Sequence, residues 1–207
     1  MNEPGKDNKN TFGNFLQSNI DVNADTIDCL VRHCRRIEVK RGDFLLRQGM
    51  TCHHAFFVEH GLLKEYAVDD RGRTNILLFA PENWFLCNVE TLFFHSPSNF
   101  FIEAVEDTSV LLIDADTLEL LRHTYPAFAD FQQQLLHAHV RDMERRVSQL
   151  MGVSAEERYI DFLKRQTKLA TRLPQTEIAS YLGVAPESLS RIRKELAERR
   201  CQPKKKL

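Results

Sequence analysis

Nothing in this chain approaches the roughly 20 consecutive apolar residues of a membrane span. The opening segment, MNEPGKDNKNTFGNF, is polar and lacks the apolar centre of a signal peptide. Both absences point to a cytoplasmic protein. Cysteine is sparse and badly spaced for cross-linking. Cys29, Cys34, Cys52, Cys87 and Cys201 are odd in number and include no C-x-x-C pair. That argues against a disulfide framework and against a structural zinc site. A large excess of either charge is missing too, since 28 Lys and Arg stand against 29 Asp and Glu. The average charge therefore selects no partner.

What is present is ordinary globular material with an uneven charge map. The 207 residues, 43% hydrophobic and 28% charged, suffice for one or two domains with a real core. Residues 154–207 carry 13 Lys and Arg against 7 Asp and Glu, whereas residues 1–153 carry 15 against 22. A basic end on an acidic body points to a polyanion bound at that end. Taken alone, the lysine run near the C-terminus reads rather as a solvated tail, and the neighbouring helix pair shifts that balance.

Hydrophobic periodicity divides the chain. Residues from about 11 to 35 read as helix, with Ile27, Leu30, Val31 and Cys34 at spacings of three and four. From about 37 to 113 the pattern is short strands between turns. Arg41-Gly42-Asp43 marks one turn, His60-Gly61 breaks two apolar runs, and DDRGR at 69–73 is a polar hairpin tip. Many short strands at regular spacing indicate a small sandwich or barrel. Over 126–151 the period changes to that of a helix, in which Leu136, Val140, Met143, Val147 and Leu150 recur at intervals of 4, 3, 4 and 3. Valines at a, with Leu136, Met143 and Leu150 at d, favour a parallel two-stranded pairing, and His139 and Glu144 take g and e. The same helix also carries Phe128, Phe131 and Leu135, a second row suited to packing on its own barrel. Ser154 and Glu157 form an S-x-x-E capping box at the start of a further helix, and Pro174 ends the loop expected after it.

The segment QTEIASYLGVAPESLSRIRKEL, residues 175–196, reads as two short helices joined by a turn. Ala179 allows close approach of the helices, and Gly183 allows a positive φ in the turn. Ile178, Leu182, Val184, Leu189 and Ile192 supply a shared core, and Pro186 suits the first position of the second helix. Glu187, Ser190 and Arg191 then fall on one outward face, flanked by Arg193 and Lys194. An Arg takes both acceptors of a guanine edge, and a Glu accepts from a cytosine amino group. A helix start that offers these groups points to the major groove of double-stranded DNA.

With RGDFLLRQG, FFVEHGLLKEY and EIASYLGVAPESLSRIRKEL in this order, the chain resembles the Crp/Fnr family of bacterial transcription regulators along nearly its whole length. Glu187, Ser190 and Arg191 are similar to the base-reading set of the Fnr-type branch, and the ending is also similar to regulators from Bacteroidota. The resemblance implies an α+β architecture. A β-roll like a cyclic-nucleotide-binding domain, antiparallel and with N-terminal helices, fills 1–125. A dimerisation helix fills 126–153, and a helix-turn-helix domain fills 154–207. It implies a homodimer joined through Leu136, Val140, Met143, Val147 and Leu150, a palindromic DNA site, and RNA polymerase as a further partner. It implies Thr176 as a phosphate contact. The family usually carries a β-hairpin wing after the recognition helix, where this sequence has CQPKKKL. Phosphate contacts are therefore expected from Arg193, Lys194, Arg199, Arg200, Lys204, Lys205 and Lys206.

The effector cassette departs from the family pattern. Family members that bind a cyclic nucleotide use a Gly-Glu pair for the ribose and an Arg-Ser pair for the phosphate. Cys87 and Asn88 stand at the first pair, and Ser98 and Asn99 at the second. A buried phosphodiester needs a cation or many donors, and Ser98 brings no charge. Cyclic AMP is therefore not expected as a ligand, which leaves either another small molecule or a pocket filled by side chains. A redox, haem or metal-responsive regulator of the same fold is the alternative. The closely spaced thiols are too few for a four-cysteine iron–sulfur cluster, and Cys52-His53-His54 is the one run that reads as a haem or metal site. A cupin-like metalloenzyme would need an H-x-H pair on a strand, but His137 and His139 fall on the heptad helix and diverge. No metal, cofactor or catalytic group is expected.

Overall fold

A computed structural model describes residues 11–21, 23–32 and 34–201, without the side chains of Thr26, Asp28, Cys29, Leu30, Arg200 and Cys201. Lys204, Lys205 and Lys206, three of the expected phosphate contacts, lie outside the described residues, as does the side chain of Arg200. The N-terminal stretch that reads as one helical region is two helices, α1 (Thr11–Asn19) and α2 (Ala24–Arg32). Strands follow as β1 (Arg35–Val39), β2 (Phe44–Leu46), β3 (His54–His60), β4 (Leu63–Val68), β5 (Thr74–Ala80) and β6 (Phe85–Leu86). A short helix α3 (Val89–Leu92) precedes β7 (Phe101–Ala104) and β8 (Thr108–Asp114). Two more helices, α4 (Ala115–Thr124) and the long α5 (Pro126–Gly152), complete this half. The fold class is α+β, as the pattern of strands followed by helices implies.

The strands form two four-stranded sheets, with orders β1-β8-β3-β6 and β2-β7-β4-β5. In the first, β8 pairs antiparallel with both β1 and β3, and β3 with β6. The inner strands read as continuous apolar runs because both their faces are covered: Ala55–Val58 and Val110–Ile113 are all buried. Phe12 of α1 sits 4.9 Å from the Phe57 ring, and Phe15 sits 5.8 Å from Phe131 of α5. Phe128 and Phe131 are thus the face of α5 that joins the core, together with partly buried Leu135.

The described chain forms two compact units. One holds the chain up to Glu65 with Phe79–Ala138, and the other holds Tyr66–Leu78 with the chain from His139 onward. Helices α6 (Ala155–Arg165), α7 (Thr167–Arg172), α8 (Gln175–Leu182) and α9 (Pro186–Cys201) belong to the second unit. The capping box forms as its spacing predicts: Ser154 Oγ accepts from the Glu157 amide while Glu157 accepts from the Ser154 amide. The expected loop before Pro174 instead contains α7, because Leu169 and Leu173 are drawn into the core beside Tyr159 and Phe162. Tertiary burial outweighs the weak local signal of TKLATR.

Candidate nucleic-acid interface

Helices α8 and α9 form the helix pair that the sequence predicts. Gly183 adopts φ 66° and ψ 39°, the left-handed conformation that ends α8. The amides of Gly183 and Val184 return to the carbonyls of Ser180 and Ala179 at 3.1 and 3.0 Å. A Cβ at residue 183 would lie 3.0 Å from the flexible end of Leu150, so it is the positive φ that calls for glycine in this turn. Ile178, Ala179, Leu182, Leu189 and Ile192 are buried between the helices. Pro186 opens α9, as its fixed φ favours.

This packing leaves the opposite face of α9 in solvent. Glu187, Ser190 and Arg191 are all exposed in its first two turns, with Arg193 and Lys194 exposed beside them. Thr176 is exposed in the first turn of α8, where helix amides without internal partners favour an anion. Arg199 is engaged elsewhere: its guanidinium pairs with Glu156 of α6 at 2.5 Å and lies 3.8 Å from Glu195.

Three basic or polar side chains that the sequence reading passed over hold this pair in place. Arg158 of α6 donates to the Leu182 carbonyl at 3.0 Å and to the Val153 carbonyl at 2.5 Å. Arg146 of α5 donates to the Tyr181 carbonyl at 2.9 Å and covers the Tyr181 ring at 4.0 Å. Ser180 faces the hairpin strand β5. No local pattern reveals Arg146, since its other partner, the Ile76 carbonyl, lies 70 residues away in sequence.

The heptad row on α5 is open. Leu136 is 58% exposed, Val140 46%, Val147 55% and Leu150 44%. Val140, Met143, Val147 and Met151 line an apolar groove, with His139 and Glu144 also on its wall. His139 and Glu144 are the two residues that the heptad register assigns to g and e.

Two of the effector-cassette residues, Asn88 and Ser98, turn inward and bond to their own chain. Asn88 is buried, caps α3 through the Thr91 amide at 3.2 Å, and donates to Glu65 Oε1 at 3.1 Å. Burial raises the Glu65 carboxyl above its usual range, and the Asn88 bond opposes that rise in part. Ser98 is buried, and its hydroxyl bonds both the carbonyl and the amide of Phe100, at 3.0 and 2.9 Å. Cys87 is half-buried, and its thiol is pushed up to about 11, first by burial and then by Glu65. Asn99 is exposed. Sequence reasoning missed Glu65, whose alternating position on β4 gave no sign of its burial.

The Cys52-His53-His54 run serves local structure. Cys52 Sγ donates to the His54 carbonyl at 3.8 Å, and His54 Nε2 lies 2.8 Å from Asp114 of β8. Cys34 is raised to about 11, chiefly by burial, so it stays a protonated thiol at neutral pH. Among the described residues no three His, Cys, Asp or Glu side chains are grouped so as to hold a metal ion. None of the described helices is long and apolar enough to cross a membrane.

Comparison with known proteins agrees with this architecture. Residues 36–125 match the cyclic nucleotide-binding domain. The chain is 29% identical over 183 residues to the transcriptional activator protein anr of Pseudomonas aeruginosa, covering 81% of this chain and 72% of that one. In fold it is similar to FixK2 from Bradyrhizobium japonicum, with TM-score 0.71 at 20% identity over 84% of this chain and 89% of that one. It is also similar to a regulator from Eubacterium rectale assigned to the Crp/Fnr family, with TM-score 0.69 at 21% identity over 90% and 88%. The roll thus carries a cyclic nucleotide-binding domain, and over most of its length the chain is similar to transcriptional regulators of the Crp/Fnr kind.

Proposed function

We propose that this regulator binds a two-fold symmetric DNA site as a homodimer and reads each half-site with Glu187, Ser190 and Arg191. The observation that carries the reading is the outward face of α9, where all three stand in solvent at i, i+3 and i+4 within the first two turns. A helix presented in this way places its N-terminal side chains at base edges. Arg191 takes a guanine, and Glu187 accepts from a cytosine amino group. Thr176, Arg193 and Lys194 contact phosphates, and Lys204, Lys205 and Lys206 extend that contact beyond α9. Arg199 joins them only by leaving Glu156. The exposed row on α5 is the dimer seam, in which Val140, Met143, Val147 and Leu150 of two copies cover each other.

The role is regulatory rather than catalytic, and its place is the cytoplasm. The name of the Pseudomonas aeruginosa relative, a transcriptional activator, supports RNA polymerase as a further partner. The roll does not respond to cyclic AMP. Asn88 and Ser98 face the protein's own chain, and the carboxyl group beside Asn88 offers no cation to a phosphodiester. Selection of bound duplexes from a random DNA pool tests this reading. It is expected to return an inverted repeat with half-site centres about one helical turn apart. A pool that shows no preference after selection would remove it.

A further inference from the structure

The outer half of the β4–β5 hairpin shares a compact unit with the helix-turn-helix. β5 is the edge strand of its sheet, so its outward amides and carbonyls need partners from outside the sheet. Helix α8 supplies them. Ser180 Oγ accepts from the Ile76 amide at 3.1 Å and donates to the Thr74 carbonyl at 2.6 Å. One hydroxyl therefore does at this edge what a neighbouring strand would do. Arg146 adds a second link, since its guanidinium donates to the Ile76 carbonyl at 2.5 Å and to the Tyr181 carbonyl at 2.9 Å. Tyr181 lies in the last turn of α8, where carbonyls lack helical partners and a cation is favoured. The hairpin tip is itself stiffened, because Asp69 accepts from the Arg71 and Arg73 amides at 3.0 and 2.9 Å and pairs with the Arg73 guanidinium.

We propose that the β4–β5 hairpin is a brace for the helix-turn-helix, and that Ser180 and Arg146 are positioning residues through which β5 fixes the attitude of α8 and so of the recognition helix. This rests on α9 as the DNA-reading helix. In the braced arrangement Glu187, Ser190 and Arg191 are exposed, so the hairpin does not cover the reading face. Loosening the brace therefore removes order without uncovering a surface. It lowers specific affinity, because each half of a dimer must then be re-oriented on binding.

The test uses the full-length protein and two readouts. Hydrogen exchange at the Ile76 amide, measured without DNA, reports the bond to Ser180 directly. Titration against the selected operator and a scrambled duplex at fixed salt reports the consequence for reading. Ser180→Ala is expected to speed exchange at Ile76 and weaken operator binding by about tenfold, the scale of one or two lost hydrogen bonds. Scrambled DNA should change much less. Ser180→Thr keeps the hydroxyl and should restore both values, and Arg146→Lys, which keeps one donor group, should fall between. If Ser180→Ala speeds exchange but leaves operator affinity within about twofold, the contact is structural only and the brace is refuted. Unchanged exchange would show that the bond is not made. If wild-type protein shows no preference for any duplex while Ile76 remains protected, the DNA reading fails and the positioning role fails with it.

Discussion

At the scale of single residues, two side chains of the effector cassette, Asn88 and Ser98, are engaged by the protein's own chain. Asn88 holds Glu65 and caps α3, and Ser98 closes on Phe100. Isothermal calorimetry with cyclic AMP and cyclic GMP is expected to give no heat of binding, and micromolar affinity for either would contradict this account. Glu65 also has a consequence for stability. Its folded-state pKa is raised by burial, so between the ordinary glutamate value and the raised one the folded form holds a proton that the unfolded form has lost. Stability therefore falls as pH rises through that window and recovers as pH falls back through it. Glu65→Gln keeps an acceptor for Asn88 and removes the titration. Chemical denaturation across that pH range should show a flatter profile for the variant, whereas an unchanged slope would assign the pH dependence to another group.

At the scale of elements, turns and caps were legible in the sequence because they depend on a few neighbouring residues. Gly42, Gly61 and Gly183 all take positive φ, as their turn positions imply. Their reasons differ, and the difference is measurable. A Cβ at Gly61 would stand 2.7 Å from the Asp107 carbonyl oxygen and from Thr108 Cα, both backbone atoms. At Gly72, φ is also positive but nothing lies within 4 Å. Gly72→Ala should cost about 1–2 kcal/mol from backbone strain alone. Gly61→Ala should cost about 3 kcal/mol or more, since overpacking adds to the same strain. Equal costs in denaturant titrations would mean that the β3–β4 turn is looser than described. The heptad reading of α5 separated its two apolar rows correctly into a core face and an exposed face, because helical period assigns sides directly. The helix α7 and the tie between α8 and β5 were hidden for the opposite reason. Leu169 and Leu173 are too short a pattern to declare a helix, and Thr74 and Ile76 meet Ser180 across more than 100 residues.

At the scale of the whole molecule, the proposed function requires the exposed apolar row on α5 to join two copies and the helix pair of each to read DNA. The seam predicts that Val140→Lys with Met143→Lys weakens both association and operator binding. Light scattering should show a monomer at micromolar concentration, and a variant that stays dimeric would move the interface elsewhere. The division of labour on α9 is the central claim; what the sequence made legible is that Glu187, Ser190 and Arg191 share one exposed face at fixed spacing. Which contacts anchor its partner α8 was not readable, since Arg146 and Arg158 look like any solvated charge until the fold brings carbonyls to them. Neutralising Lys194 should weaken binding to all sequences alike and lower the salt slope by about one unit. Arg191 should instead discriminate between sequences. The most direct measurement is therefore a titration of wild type and Arg191→Ala against operator and scrambled duplex at several salt concentrations. The account predicts that Arg191→Ala loses about 1–3 kcal/mol on the operator, relaxes preference at one base pair, and barely changes on scrambled DNA. Equal losses on both duplexes would make Arg191 a backbone contact and contradict the placement of α9 in the major groove.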